Sequence, residues 1–348
     1  MRLSLTYLYP SIMSQYGDRG NVLTLVERAR RRGIEVEVQR IELGDRLGTD
    51  ADLIVIGGGT DAQQRLVAED LRERKGADLR AAVADGCALL AVCAGYQLLG
   101  HSYRAADGSE LLGVGLFAAH SVHHAAEIGA RLSSIPAAGA VRAVGNVVAV
   151  ANGLELVGFE NHGGRTYLDE GAQPFATVVV GRGNNGRDRT EGCAVHNAIG
   201  TYLHGPVLPK NPALADLLLR QACARHGAGE LTPLPDAAEH AAHEAALRAA
   251  LAEAGIPTLA IATPATWPSP AARRRSGSAR HALARTGTPA AVRSVAAVRR
   301  AAINLSRAER HPPPRHEAPL PPTGPADASC DAAAAVRTGV AGRTTPRG

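Results

Sequence analysis

The first hundred residues contain two kinds of apolar pattern, both typical of strands. Residues 34–41 alternate between apolar and polar side chains almost throughout, which predicts a half-exposed strand at the edge of a sheet. Residues 52–56 and 88–92 are mainly uninterrupted apolar runs, as expected of strands buried on both faces of a parallel sheet. Helices are predicted at 22–32 and 61–84. This alternation predicts an α/β fold with a mostly parallel, doubly wound sheet flanked by helices.

The second half of the chain continues this pattern, except in one segment. Residues 118–141 show no clear periodicity, which predicts a mobile loop. Further strands are predicted at 141–150, from 156 onward, at 176–180 and at 198–203, and helices at 211–225 and 237–254. We therefore expect one α/β domain over residues 1–230, followed by a helical extension over residues 231–260.

Residues 261–348 differ from the rest of the chain in composition. They are rich in proline, arginine and alanine and have no apolar periodicity, which predicts a disordered tail. They hold 14 arginines, no lysine and four acidic residues, a net charge of +10, whereas the whole chain carries +5 and residues 1–260 therefore −5. The tail has no interleaved aromatic residues apart from Trp267, so nucleic acid is not expected as a partner.

Cysteine usage and hydropathy limit the class of protein. The sequence has neither an N-terminal signal pattern nor an apolar run of 18 residues, so no transmembrane segment is expected. The five cysteines show no Cys-x-x-Cys spacing, which argues against a disulfide framework or a zinc cluster. His120, His123 and His124 lack a second cluster of ligands, so no metal site is predicted. These features predict a cytoplasmic protein.

Cys93 ends the buried strand at 88–92 and is followed at once by a helical pattern. So tight a reversal strains the backbone and needs small neighbours, which Ala91, Ala94 and Gly95 supply. The arrangement predicts a nucleophile elbow, with the Cys93 thiol at a helix N-terminus that favours the thiolate. A buried structural cysteine is the alternative interpretation.

Three glycines, residues 57–59, follow the neighbouring predicted strand. No Gly-Lys-Ser or Gly-Lys-Thr comes after them, so the phosphate-binding pattern of ATPases is absent. If the two strands lie side by side, the amides of Gly58 or Gly59 come close to Cys93 and form an oxyanion hole. A plain tight turn is the alternative interpretation.

His204 follows the last predicted strand and precedes Gly205 and Pro206. Catalytic side chains of α/β sheets collect at the carboxyl ends of strands, and imidazole titrates near neutral pH. His204 is therefore the candidate base for the Cys93 thiol. Since Pro206 stands where an acid two residues after the histidine would complete a triad, a Cys–His dyad is predicted.

Five blocks of the chain, in this order, resemble the GatD family. These proteins are the glutamine-hydrolysing subunits of lipid II isoglutaminyl synthase, among the CobB/CobQ-like class I glutamine amidotransferases. The resemblance covers about residues 3–230 and implies Cys93 as nucleophile, His204 as base and Arg142 as the residue that holds glutamine, because a planar guanidinium matches a carboxylate. The other predicted substrate-binding residues are Gly58, Gly59, Ala94 and Gln97. The five blocks are residues 16–21, 56–61, 92–97, 158–167 and 200–206.

The resemblance also implies partners. The substrate would be L-glutamine, and its ammonia would pass to MurT, a Mur-ligase-like ATPase in a heterodimer with this chain, which amidates the D-glutamate α-carboxylate of lipid II in peptidoglycan synthesis. The chain itself would need no cofactor, because ATP is expected only on MurT. Two alternatives remain: an acceptor of the cobyrinate type, and a binding subunit whose glutamine site is impaired by residues 118–141. No role is predicted for Asp18 or His162.

Overall fold

The computed structural model describes residues 1–48, 50–129, 142–228 and 230–256. The disorder predicted for the tail at 261–348 lies outside the described residues, as do residues 130–141 of the predicted loop. The strands are β1 (Arg2–Leu8), β2 (Glu35–Ile41), β3 (Leu53–Ile56), β4 (Ala88–Val92), β5 (Ser102–Arg104), β6 (Glu110–Leu112), β7 (Ala119–His123), β8 (Ala143–Ala151), β9 (Leu154–His162), β10 (Gly164–Leu168), β11 (Ala176–Val180), β12 (Thr190–Glu191), β13 (Cys193–Val195) and β14 (Ala198–Thr201). The helices are α1 (Arg19–Arg30), α2 (Asp61–Asp70), α3 (Gly76–Ala84), α4 (Ala94–Leu99), α5 (His124–Gly129), α6 (Pro212–Ala224) and α7 (Ala237–Glu253), with a π-helical turn at Leu71–Lys75 between α2 and α3 and a 3-10 turn at Leu208–Lys210 before α6.

Six strands form the main sheet, in the spatial order β13, β14, β4, β3, β1, β2. Neighbouring strands are parallel, except that β13 pairs antiparallel with β14 at one edge. The predicted α/β fold is confirmed, and β2, the alternating strand, lies at the other edge. Because β3, β4 and β14 are neighbours, their carboxyl ends bring the glycine loop, Cys93 and the segment before His204 to one side of the sheet.

Two smaller sheets accompany the main sheet, and the sequence did not predict them as separate units. One has the order β10, β7, β5, β6, and the other is antiparallel with the order β12, β11, β8, β9. Helix α7 covers the second of these, where Leu247 and Leu251 pack against Val148 and Val157 in a buried apolar cluster. No helix within the described ranges is long and apolar enough to cross a membrane.

The prediction of an irregular loop at 118–141 is wrong for its first part, where β7 and α5 form. Strand β7 pairs with β10 and with β5. Its buried positions include Ser121, whose hydroxyl is hydrogen-bonded to the hydroxyl of Thr166 at 2.7 Å, while His120 is exposed. Because a polar residue occupies a buried position, the strand shows no alternation of apolar and polar side chains in the sequence.

Arg28 of α1 ties the C-terminal part of the domain to its beginning. It is 3% exposed, and its guanidinium donates two hydrogen bonds of 2.8 Å to each of the carboxylates of Asp216 and Asp236. We expect Arg28→Ala to lower the free energy of unfolding by about 3 kcal/mol, because the mostly buried Asp236 loses its hydrogen-bonded arginine and Asp216 keeps only Arg32 of its two described arginine partners. Urea denaturation measures the change. Arg30→Ala, which removes an exposed ion pair with Glu27, is the control and should have little effect; equal losses would contradict the assignment.

Candidate active site

Cys93 joins β4 to α4 with a left-handed backbone, at φ 52° and ψ −106°. Such a φ is strained for a residue with a side chain. The Cys93 amide donates a 2.8 Å hydrogen bond to the Thr201 carbonyl, which anchors the turn to β14. A Cβ on Gly95 would lie 2.8 Å from the Gly57 carbonyl oxygen, so a larger residue does not fit there without a shift. The structure therefore has the strand–turn–helix geometry of a nucleophile elbow.

The Cys93 side chain is only 5% exposed, and its environment differs from the prediction. Burial raises the pKa of the thiol to about 12, and the negative charge of Asp18 also raises it. The positive charge of Arg142 and the Ala94 amide, which is hydrogen-bonded to the sulfur, lower the pKa by less. The amide at the helix N-terminus thus lowers the pKa of the thiol as expected, but desolvation of the charged form outweighs the amides of a six-residue helix.

His204 is 1% exposed, and its imidazole nitrogens have no hydrogen-bond partner among the described residues. Its backbone is fixed by two hydrogen bonds with Phe159, and the Tyr16 ring meets the imidazole edge-on at 4.9 Å between centroids. Burial, and then the charge of Arg142, lowers the pKa of His204 to about 4. The imidazole is therefore neutral near pH 7 and free to accept a proton.

Cys93 and His204 meet at Gly58. A Cβ added to Gly58 would lie 3.3 Å from His204 Cε1, 3.4 Å from Cys93 Cβ and 3.6 Å from Asp18 Oδ2. The three side chains therefore border one small space, which any residue larger than glycine would fill. The structure thus places Cys93 and His204, predicted from two distant strand ends, beside the same glycine.

The burial of His204 predicts a pH dependence of stability. As the pH falls below 6.5, the ordinary pKa of histidine, the unfolded chain binds a proton at this position, whereas the folded protein does so only near pH 4. The unfolded state is favoured by this difference, so His204 should remove about 3 kcal/mol of stability as the pH drops from 6.5 to 4. Urea denaturation at pH 7 and pH 4.5 should show a smaller loss for His204→Asn than for the wild type. An identical loss would contradict the assigned burial.

The glycine loop offers one free amide of the two that were predicted. The Gly58 amide donates a 2.8 Å hydrogen bond to Asp18 Oδ2, so it is already occupied. The Gly59 amide has no acceptor within the described ranges, and the Ala94 amide faces the Cys93 sulfur. Gly58 thus lies against Cys93 with its amide occupied, whereas Gly59, whose amide has no acceptor among the described residues, lies against Met13 and Gln63.

Arg142 lies directly before β8, beside the site. Its Nε donates to Asn161 Oδ1 at 2.5 Å, and its Nη2 donates to the Asn161 carbonyl at 2.8 Å and to the Tyr16 hydroxyl at 3.2 Å. Its charge lowers the pKa of both Cys93 and His204, which places the guanidinium close to both. Nη1 makes no hydrogen bond within the described residues, so this exposed side chain has a donor free for a carboxylate.

Gln97 lies in α4, and its side chain is buried. Its side-chain amide donates to the Tyr202 hydroxyl at 2.9 Å, and its side-chain oxygen accepts from Gln64 at 3.1 Å. Tyr202 also stacks on the buried ring of His162, with centroids 3.7 Å apart. The side-chain amide of Gln97 is thus hydrogen-bonded to other buried side chains of the protein.

Glu191 is a residue at this site that the sequence analysis missed. Its buried carboxyl accepts hydrogen bonds from the Thr201 hydroxyl at 2.5 Å and the Tyr202 amide at 2.8 Å, and burial raises the pKa of Glu191 to about 7. The Thr201 hydroxyl in turn accepts from the Leu203 amide at 3.0 Å. These bonds fix the strand end that delivers His204. No sequence pattern marks Glu191, because β12 has only two residues.

Asp18 and Tyr16 were also left without a role, although they lie in a block that the resemblance singled out. Both reach the site from the loop between β1 and α1. In the part of the chain that the structure describes, no group of three histidine, cysteine or acidic side chains is arranged to hold a metal ion. The site is therefore built from a thiol, an imidazole, backbone amides and two opposite charges.

Comparison with known proteins agrees with this geometry. The CobB/CobQ-like glutamine amidotransferase domain matches residues 4–212. The chain is 38% identical over 227 residues to the lipid II isoglutaminyl synthase (glutamine-hydrolysing) subunit GatD of Staphylococcus aureus, a match that covers 65% of this chain and 86% of that protein. It is 33% identical over 224 residues to the GatD subunit of Streptococcus pneumoniae, covering 64% and 80%. A cobyric acid synthase of Pelotomaculum thermopropionicum is 33% identical over 177 residues, which cover 49% of this chain and 32% of the synthase. The chain belongs to the CobB/CobQ-like glutamine amidotransferase family, in its GatD branch.

Proposed function

We propose that this chain hydrolyses L-glutamine to glutamate and ammonia through Cys93 and His204. The observation that supports it most directly is that Cys93, on a strained elbow, and His204, whose imidazole has no hydrogen-bond partner among the described residues, both lie against Gly58. A buried imidazole without a hydrogen-bond partner costs free energy, so its presence calls for an explanation. Proton transfer with the thiol provides one in this proposal.

The resting charges define the order of proton transfers. Since the thiol has a raised pKa and the imidazole a lowered one, both groups are neutral before the reaction. The thiol proton moves to His204 as the Cys93 sulfur bonds to the side-chain carbonyl carbon of glutamine. The amides of Ala94 and of the glycine loop hold the oxyanion, with each donor contributing about 3 kcal/mol. His204 then protonates the leaving nitrogen, and water hydrolyses the thioester to glutamate.

Arg142 holds the α-carboxylate of glutamine in this proposal. Its guanidinium is fixed by Asn161 and Tyr16 and keeps one free donor at the mouth of the site. The free Nη1 group can donate a charge-assisted hydrogen bond to the carboxylate.

The ammonia serves the amidation of lipid II in this proposal. Two relatives that cover most of the described domain are GatD subunits of lipid II isoglutaminyl synthase, and this supports the same role here. The partner would be MurT, a Mur-ligase-like subunit that binds ATP and amidates the D-glutamate α-carboxylate in a cytoplasmic heterodimer. In this proposal ATP is assigned to the partner and no cofactor to this chain, whose glycine loop lacks the lysine and hydroxyl residue of a phosphate-binding loop.

Glutamate release from L-glutamine tests this function. The full chain should be assayed alone and after co-expression with a Mur-ligase-like partner, and lipid II amidation should be followed by mass spectrometry. We expect release that increases with the partner, and amidated lipid II only when both subunits and ATP are present. Arg142→Ala should raise KM by about 10-fold to 100-fold, because an ionic hydrogen bond to the substrate is lost, whereas Arg187→Ala, which removes an exposed arginine bonded to Glu127, should leave KM unchanged.

Each contrary result identifies one alternative. Release without lipid II amidation would favour another acceptor, such as a cobyrinate. No release with or without the partner would favour the binding subunit with an impaired glutamine site.

A further inference from the structure

Residues 16–21, which form the end of the loop between β1 and α1 and the start of α1, are packed against the segment that carries His204. A Cβ on Gly20 would lie 2.4 Å from Cγ of Pro206, so the two backbones approach closely. The Asn21 side-chain oxygen accepts a 3.0 Å hydrogen bond from the Leu208 amide. This segment is thus held against the residues that follow the catalytic histidine.

Asp18 lies in this segment, and its carboxylate does not cap the helix that follows. It is the residue before α1, where an aspartate commonly caps the helix, yet its side chain makes no capping hydrogen bond. Instead Oδ2 accepts the Gly58 amide at 2.8 Å, and the side chain is 1% exposed. A Cβ on Gly57 would lie 2.7 Å from Asp18 Cβ, so the glycine loop is shaped around this carboxylate.

The carboxylate and the imidazole of His204 border the same space. A Cβ on Gly58 would contact both groups, at 3.6 Å from Asp18 Oδ2 and 3.3 Å from His204 Cε1. None of the ion pairs formed by the described residues includes Asp18, so its charge has no fixed cation. A cation arises next to it during the reaction, when His204 takes up the thiol proton.

We propose that Asp18 is a positioning residue for this reaction, whose carboxylate anchors the Gly58 end of the glycine loop and stabilises the imidazolium form of His204. It takes the place of the acid that Pro206 excludes from the position two residues after the histidine. This inference rests on the proposed function. Asp18 gains and loses no proton in it: the proton passes from Cys93 to His204 and from there to the leaving nitrogen.

The neighbouring charges set the direction of the expected effects. Cys93 is influenced by Asp18 and Asp61, which raise the pKa of the thiol, and by Arg142, which lowers it; His204 is influenced by Arg142. Burial raises the pKa of Asp18 itself, and the amides of Gly58 and of residues 16 and 18 oppose this by hydrogen bonding to the charged form. Removing the charge of Asp18 should therefore make the thiol easier to ionise. In this proposal it also makes the imidazolium harder to form, because the carboxylate and the His204 ring border the same space at Gly58.

Asp18→Asn removes the negative charge but keeps the shape of the side chain, because the asparagine oxygen still accepts a hydrogen bond from the Gly58 amide. In the full chain, with the partner present, we expect kcat for glutamine hydrolysis to fall about 10-fold to 100-fold with KM changed less than threefold. Alkylation of Cys93 by iodoacetamide at pH 9 should become about twofold to tenfold faster, since His204 is neutral there and the thiol ionises alone. Asn21→Ala, which removes the hydrogen bond from the Leu208 amide to the same segment without changing a charge, should not accelerate alkylation.

Two results would overturn the proposal. A kcat of Asp18→Asn within twofold of the wild type would show that the charge is not needed. A reduced kcat with unchanged or slower alkylation, as in Asn21→Ala, would show that Asp18 only supports the loop. Failure of the proposed function gives a different result, because the wild type itself then releases no glutamate. Failure of this inference is seen only when the wild type is active and Asp18→Asn does not behave as expected.

Discussion

Replacement of Cys93 by alanine is expected to abolish glutamine hydrolysis, with a decrease of about 10⁴-fold or more in kcat. The sulfur forms the bond to the substrate, and no other described cysteine is at the site: Cys87, Cys193 and Cys223 are buried elsewhere. Glutamate release by the purified chain with its partner measures the effect. The substitution removes one atom from a tight turn, so the fold should persist.

Cys87→Ala is the matched control for this loss. Cys87 precedes β4, the strand that ends at Cys93, and it is fully buried. Its substitution should leave kcat near the wild-type value and cost only stability. Hydrolysis that survives in Cys93→Ala would contradict the covalent mechanism, and equal loss in both variants would point to damage of the strand instead.

Replacement of His204 by asparagine is expected to lower kcat by about 10²-fold to 10⁴-fold. Without the imidazole, the Cys93 thiol keeps its raised pKa and has no acceptor for its proton. The residual rate should therefore increase with pH up to the highest pH the protein tolerates, because only direct ionisation of the thiol remains. A pH–rate profile of the variant beside the wild type measures this.

His226→Asn is the corresponding control. His226 is hydrogen-bonded to Asp52 at 2.9 Å and is partly exposed, outside the site. Its substitution should leave the pH–rate profile unchanged. A pH–rate profile of His204→Asn identical to that of the wild type would show that His204 does not take part in proton transfer.

The elements of the main sheet were predicted from short-range patterns, and particular strands explain why this worked. Residues 88–92 are apolar without interruption because β4 is buried on both faces between β3 and β14. Residues 34–41 alternate because β2 lies at an edge. In both cases the environment of a strand is the same along its length, so local composition reflects it.

The same reasoning did not find β7, the two smaller sheets or the roles of buried polar residues. Ser121 in β7 and Glu191 in β12 are buried with hydrogen-bond partners that are 45 and 10 residues away in the sequence. Hydropathy records the cost of burying a polar group and not the partner that offsets it. Such positions therefore resemble loops in the sequence.

The sequence by itself determined the α/β fold, the succession of its main strands and helices along the chain, and Cys93, His204 and Arg142 as the candidate chemical groups. Small residues at a strand end, a histidine before Gly-Pro and five ordered blocks are local signals that survive without coordinates. Only the tertiary structure decided how these groups are charged and which amides are free. Burial raises the pKa of Cys93 and lowers that of His204, and Asp18 occupies the Gly58 amide, because chain segments that are distant in sequence exclude water from the same small space.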